Sequence, residues 1–127
     1  MIVTKAVIYA AGAALLASLA DPVLARRLGV PVLMKAEHLQ ETGAFKLRGA
    51  FNAMRKLPDP ASAKVVCASA GNHAQGVALA AAKLGITARI YMPRGAALPK
   101  IAATQDHGAE VVLHGSSVDE ALAEAQR

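Results

Sequence analysis

Two stretches of sequence decide how this chain is interpreted: residues 41–50, ETGAFKLRGA, and residues 69–76, SAGNHAQG. The first places Lys46 where a glycine-containing turn enters a helix. The second is a polar, glycine-containing turn between an apolar run and a helical pattern. A lysine held in a cleft between two such turns can be desolvated and become nucleophilic. Together they predict the cofactor site of an enzyme.

Outside these turns, short apolar runs alternate with helical patterns. The runs predict strands over residues 30–34, 64–68, 87–92 and 110–114, and the patterns predict helices from residue 45 to Pro58, over residues 72–84, from Pro99 to about His107, and after Ser117. Gly85 and Gly108 are typical helix stops. Strands that alternate with helices need crossover connections. The expected fold is α/β, with three layers: a parallel sheet and helices on both faces.

The composition is that of one globular domain. Hydrophobic residues make up 54% of the 127 residues and aromatic residues only 3%, which favours closely packed helices. The net charge of +5 is scattered and not interleaved with aromatic residues, so no nucleic-acid partner is expected. Cys67 is the only cysteine, which fits a reducing cytoplasm. The histidines have no metal-ligand spacing, and no metal is expected.

The N-terminal segment allows two interpretations. Residues 6–20 form an apolar run that resembles a short signal peptide, although it is shorter than the roughly 20 residues of a membrane helix. The other interpretation is an alanine-rich helix packed on the domain. We expect residues 1–27 to be a helical segment, residues 28–127 to be the α/β domain, and no membrane partner.

Lys46 is the strongest catalytic candidate from the residues alone. An amine condenses with an aldehyde only in its neutral form, which burial or nearby positive charge favours. Arg48 and the start of the helix would supply such charge. The alternative is a solvated lysine on an amphipathic helix. The turn at residues 69–76 opens a helix, where backbone N–H groups favour an anion such as a carboxylate.

From about residue 28 to the end, the sequence resembles fold-type II pyridoxal-phosphate enzymes of the threonine/serine dehydratase (ammonia-lyase) family. The resemblance is carried by the two motifs above and by LGVPV, KAEHLQ and GAEVVL, which begin at Leu28, Lys35 and Gly108. It implies pyridoxal 5'-phosphate as cofactor. It also implies the small α/β domain of that fold.

The resemblance assigns roles to individual residues. Lys46 would form the Schiff base and then act as the base on the α-proton of the substrate. Phe45 would lie against the cofactor ring, and Asn72 would hydrogen-bond the phenolic oxygen of the cofactor. The substrate carboxylate would be held by the loop formed by Ser69, Ala70, Gly71, Asn72 and His73.

The same resemblance separates branches of the family. Racemases of this fold have a serine where Ala70 stands, and alanine cannot accept a proton, so elimination is favoured. Leu47 and His73 depart from the cysteine synthase pattern, and Leu47 also departs from the threonine synthase pattern. The expected reaction converts L-threonine or L-serine into a 2-oxo acid and ammonia.

Enzymes of this family are considerably longer than the present chain. Their glycine-rich phosphate loop and large domain lie beyond the residue that matches Arg127, so we expect the chain alone to have little activity. The partners expected are a small hydroxy amino acid and either a second copy of the chain or a complementing large domain. Alternatives are a non-catalytic or complementing module, a serine racemase of the same fold, and an exported or membrane-anchored α/β protein.

Overall fold

The computed structural model describes residues 18–60 and 62–127. Its elements in chain order are β1 (Ser18–Ala20), α1 (Pro22–Leu28), β2 (Leu33–Lys35), a short 3-10 helix (Glu37–Leu39), α2 (Lys46–Met54), β3 (Lys64–Ala68), α3 (Asn72–Leu84), β4 (Thr87–Met92), α4 (Leu98–Asp106), β5 (Glu110–Leu113) and α5 (Val118–Ala125).

Strands β3, β4 and β5 form a parallel sheet in that order, with β4 in the centre. Along β4, Ala88, Ile90 and Met92 are buried while Thr87 and Arg89 are exposed. This alternation follows from the two-residue period of a strand, which gives one face of the sheet to the core. The three strands were predicted to within one residue.

Helices flank this sheet, as predicted. Helix α3 packs against β4 and β3, and α2 and α4 pack against α3. The core between them is formed largely by small side chains of α3, among them Ala74, Ala78, Ala80 and Ala81. Helix α5 packs on β3 and β4 with Ala121 fully buried, outside that core cluster.

Local sequence signals explain where most helices begin and end. Helix α3 ends at Gly85, whose φ of 70° is left-handed, a conformation that glycine adopts without a β-carbon penalty. Helix α5 begins after Ser117, whose Oγ accepts a hydrogen bond from the Glu120 N–H. The Glu120 carboxylate accepts from the N–H of Ser116, one residue earlier than a standard capping box requires.

Helix α2 is shorter than predicted. It ends at Met54. The Arg55 N–H still donates to the Phe51 carbonyl, but the N–H groups that follow bond three residues back, Lys56 to Ala53 and Leu57 to Met54, which tightens the chain into a turn before Pro58. Leu47, Ala50 and Met54 are nevertheless buried on the predicted face.

The N-terminal part differs most from the expectation. The strand predicted over residues 30–34 as buried and parallel is instead Leu33–Lys35, which is exposed and pairs antiparallel with Ser18–Ala20. Pro31 has no N–H for a ladder, so strand pairing begins after it. Ser18–Ala20 is therefore a strand and not the end of an apolar helix, and the rest of that predicted segment, residues 1–17, lies outside the described residues.

Helix α1 lies between these two strands. Its N-cap is Asp21, which accepts from the N–H groups of Val23 and Leu24, and no α1 residue is buried. Strands β1 and β2 thus lie on either side of the boundary predicted between residues 27 and 28. The division into two segments stays a prediction.

Candidate active site

Lys46 is the first residue of α2, and a compact turn delivers it there. Gly43 adopts φ 65°, and its N–H donates to the Gln40 carbonyl at 2.7 Å. Thr42 and Ala44 are buried on either side of it. Because these small residues anchor the turn, the start of α2 has a fixed place on the domain while the Lys46 side chain remains exposed.

The amine of Lys46 lies beside an aromatic ring. Its Nζ is 4.9 Å from the centroid of the Phe45 ring, and Phe45 is the N-cap residue of α2. Phe45 is 57% exposed, so the ring and the amine are both open to a ligand. At an exposed site such a cation–π contact contributes about 0.5–1 kcal/mol.

Arg48 does not act as an uncompensated positive charge beside Lys46. Its Nη1 lies 2.5 Å from Glu37 Oε1, and Lys35 Nζ lies 3.9 Å from the same oxygen. Glu37 belongs to the short 3-10 helix, far from Arg48 in sequence. We expected the positive charge of Arg48 to favour the neutral form of the Lys46 amine, but the Glu37 carboxylate offsets that charge.

The second motif follows the carboxyl end of β3. The Ser69 N–H donates to the Tyr91 carbonyl at 3.0 Å, which extends the β3–β4 ladder by one bond. Ser69 Oγ then accepts from the Gly71 N–H at 3.3 Å, and α3 begins at Asn72. Asn72 and His73 are exposed, so their side chains are free to meet a ligand.

A positive charge that the sequence analysis missed lies over this loop. Lys100, in the first turn of α4, has its Nζ 3.6 Å from the position that a β-carbon on Gly71 would occupy. A cation next to a helix N-terminus favours an anion. The predicted topology could have revealed this lysine, because the loops after neighbouring parallel strands meet at one edge of the sheet.

The two motifs come together through helix packing. Helix α2, which begins at Lys46, packs on α3, which begins at Asn72. Both helices contribute to one core against the same face of the sheet. The two motifs touch through their backbones, because a β-carbon built on Gly76, the last residue of the second motif, would lie 3.0 Å from the carbonyl carbon of Lys46.

An apolar depression of about 450 Å³ lies along β3, lined mainly by α2 and β3 residues together with His73, Val77 and Leu122. Burial raises the pKa of the Cys67 thiol, which lines it, to about 11. Neither Lys46 nor Asn72 lines this depression. It is a mainly apolar surface that meets the candidate site at His73.

Two further features bear on the class of protein. Within residues 18–60 and 62–127, no three histidine, cysteine or acidic side chains converge in a way that could hold a metal ion. In the same part of the chain, no helix has the length and apolar character needed to cross a membrane.

A family model described as pyridoxal-phosphate dependent enzyme matches residues 17–127. The L-threonine ammonia-lyase of Geobacter sulfurreducens is 54% identical over 100 residues, which are 78% of this chain and 25% of that protein. The catabolic L-threonine dehydratase of Escherichia coli K12 is 52% identical over 93 residues, 72% of this chain and 28% of that protein. The chain thus spans about a quarter of the length of these relatives.

Solved structures of related proteins also superpose on this chain. The processed form of threonine deaminase isoform 2 from Solanum lycopersicum superposes with a TM-score of 0.77 at 37% identity, over 95% of this chain and 36% of that one. Maize serine racemase superposes with a TM-score of 0.77 at 34% identity, over 87% of this chain and 34% of that one.

Proposed function

The chain belongs to the family of pyridoxal-phosphate-dependent enzymes, and we propose that it is the lysine-bearing α/β domain of an ammonia-lyase that converts L-threonine or L-serine into a 2-oxo acid and ammonia. The observation that carries this proposal is the packing of α2, which begins at Lys46, on α3, which begins at Asn72. The threonine-specific names of the relatives at more than 50% identity support the substrate class.

The residues present fit the reactive part of the cofactor. Lys46 offers an exposed primary amine, the group that condenses with an aldehyde. The Phe45 ring beside it is available to cover one face of a pyridine ring. Asn72 offers an exposed amide that can donate to a phenolic oxygen. When bound, pyridoxal phosphate supplies an aldehyde and a conjugated ring that withdraws electrons from the α-carbon of an amino acid.

The chain's own groups would then do three things. Lys46 Nζ would hold the cofactor and afterwards take the α-proton of the substrate. The loop of residues 69–73 would bind the substrate carboxylate through its N–H groups, with the Lys100 ammonium beside it. A substrate bound between this loop and Lys46 would have its α-carbon oriented toward the Lys46 amine.

Ala70 favours elimination over racemisation within this proposal. Racemisation needs a proton donor on the opposite face of the substrate, and the methyl group of Ala70 can neither give nor accept a proton. The likeness to maize serine racemase concerns the fold, and the side chain at position 70 supports the lyase chemistry.

A chimera tests the proposal most directly. The matching N-terminal part of an L-threonine ammonia-lyase relative would be replaced by this chain, and 2-oxo acid and ammonia would be measured with L-threonine and L-serine. We expect turnover in the chimera, none in its Lys46→Ala variant, and little in the 127-residue chain alone. Formation of D-serine without 2-oxo acid would refute the lyase assignment.

We also propose that the protein is cytoplasmic and works as a homo-oligomer or with a complementing large domain. The unpaired thiol of Cys67 supports a reducing compartment. Cell fractionation tests the first statement and light scattering tests the second. Recovery of the protein from the oxidising exterior would contradict the cytoplasmic assignment.

A further inference from the structure

Gly76 lies where α3 approaches α2 closely. It is buried on α3, and a β-carbon built on it would lie 2.9 Å from Leu47 N and 3.0 Å from the carbonyl carbon of Lys46. Both are backbone atoms, which cannot rotate aside as the end of a long side chain can. The Lys46–Leu47 peptide therefore rests directly on the backbone of α3.

Other features fix this contact in place. The Leu47 side chain is 2% exposed and joins the core below the same peptide. Gly49, two residues after Leu47 and on the exposed side of α2, has no non-neighbouring atom of the described residues within 4 Å of its own built β-carbon. Close approach is thus a property of position 76 and not of every glycine in this helix pair.

We propose that Gly76 is a positioning residue for Lys46. It lies four residues after Asn72, which is about 6 Å along the helix axis. By lacking a side chain, it sets the distance between the amine-bearing start of α2 and the loop that begins α3. This inference rests on the proposed function, since it assigns the spacing to a cofactor site.

The geometry sets the size of the effect. Ordinary contact begins at 3.4 Å, so an alanine at position 76 must move the Lys46–Leu47 peptide by about 0.5 Å. Catalytic groups have to be held within about 0.5 Å of their productive geometry. A misplacement of about 1 Å can cost about 100-fold. We therefore expect about a tenfold loss in the site-specific reaction of Lys46.

The test compares three variants of the 127-residue chain. Gly76→Ala introduces the contact, and Gly49→Ala makes the same chemical change without it. Met54→Ala, at the buried far end of α2, weakens the same helix packing but leaves position 76 alone. Each folded variant is incubated with pyridoxal phosphate, reduced with borohydride and digested. Peptide mass spectrometry then gives the ratio of labelled Lys46 to labelled Lys64, an exposed lysine at the start of β3.

The ratio should fall about tenfold in Gly76→Ala and stay within about twofold of wild type in the other two variants. An unchanged ratio in Gly76→Ala, or an equal fall in Met54→Ala, would overturn the inference. If Gly76→Ala alone does not fold, it is made together with Gly49→Ala, which stabilises α2 because alanine favours the helix more than glycine does.

A cofactor-free measurement separates this inference from the proposed function. In the wild-type chain, an α-hydrogen of Gly76 should give a nuclear Overhauser effect to the Leu47 amide proton, and the amide shifts of Lys46 and Leu47 should change in Gly76→Ala but not in Met54→Ala. A missing Overhauser effect overturns the positioning role. A wild-type chain that shows the effect, together with a chimera that has no turnover, contradicts the proposed function instead.

Discussion

Replacing Leu47 with alanine should lower the free energy of unfolding by about 3 kcal/mol. Leu47 is 2% exposed and is the large fully buried side chain of α2. The truncation removes about three methylene-sized groups at about 0.8 kcal/mol each. A cavity penalty adds to this loss, because the surrounding alanines of α3 have no side-chain length with which to fill the space.

Leu98→Ala provides the matched control. Leu98 also lies in the first turn of a helix, yet it is 79% exposed, so its truncation should change stability by less than about 0.5 kcal/mol. Urea unfolding followed by far-ultraviolet circular dichroism measures both variants against wild type. A loss below about 1 kcal/mol for Leu47→Ala, or equal losses for the two variants, would refute the reasoning from burial.

Three further predictions concern caps, turns and titration. Gly115→Ala should destabilise the chain by at least about 1–2 kcal/mol in thermal unfolding, because φ is 66° there and a β-carbon would lie 2.5 Å from that of Glu120. Gly95→Ala should not, because no described residue other than its chain neighbours comes within 4 Å of a β-carbon built there. Ser117→Ala should cost about 1 kcal/mol in the same assay by removing the N-cap of α5, and no loss would mean that the cap is dispensable. The Cys67 thiol, with its pKa raised to about 11, should react with maleimide at pH 8 far more slowly in the folded chain than in the urea-unfolded chain. The stability gained by keeping this thiol neutral should be complete below the unfolded pKa of about 9 and should be lost as the pH rises toward 11. Equal maleimide rates in folded and unfolded chain would contradict the burial of this thiol.

The parallel sheet was predictable because its signals are local and agree with one another. Each of β3, β4 and β5 is an apolar run bounded by turn residues, and Gly85 and Gly108 mark the ends of helices between them. The N-terminal ribbon was not predictable in the same way. The pairing of Leu19 with Met34 depends on two short segments that meet across a helix, and neither segment carries a pattern that specifies its partner.

The candidate site was predictable in part for a similar reason. The sequence placed Lys46 at a helix start and Asn72 after a strand, and both positions agree with the structure. Their roles in binding and catalysis stay predictions. The ion pair of Arg48 with Glu37 and the position of Lys100 over Gly71 depend on how separate elements pack, so they could not be read from either motif.

The inner surface of α3 has a consequence for how this domain tolerates change. Alanine and glycine occupy most of that surface, so its buried positions have almost no side-chain volume left to remove. Substitutions to smaller residues can remove little volume at these positions, whereas each added methyl group has to displace a neighbouring backbone or strand. Among homologous sequences, substitutions at the buried positions of this helix would accordingly be limited by side-chain volume more than by side-chain polarity. A bulkier residue would be accepted only where the adjoining helix shifted with it.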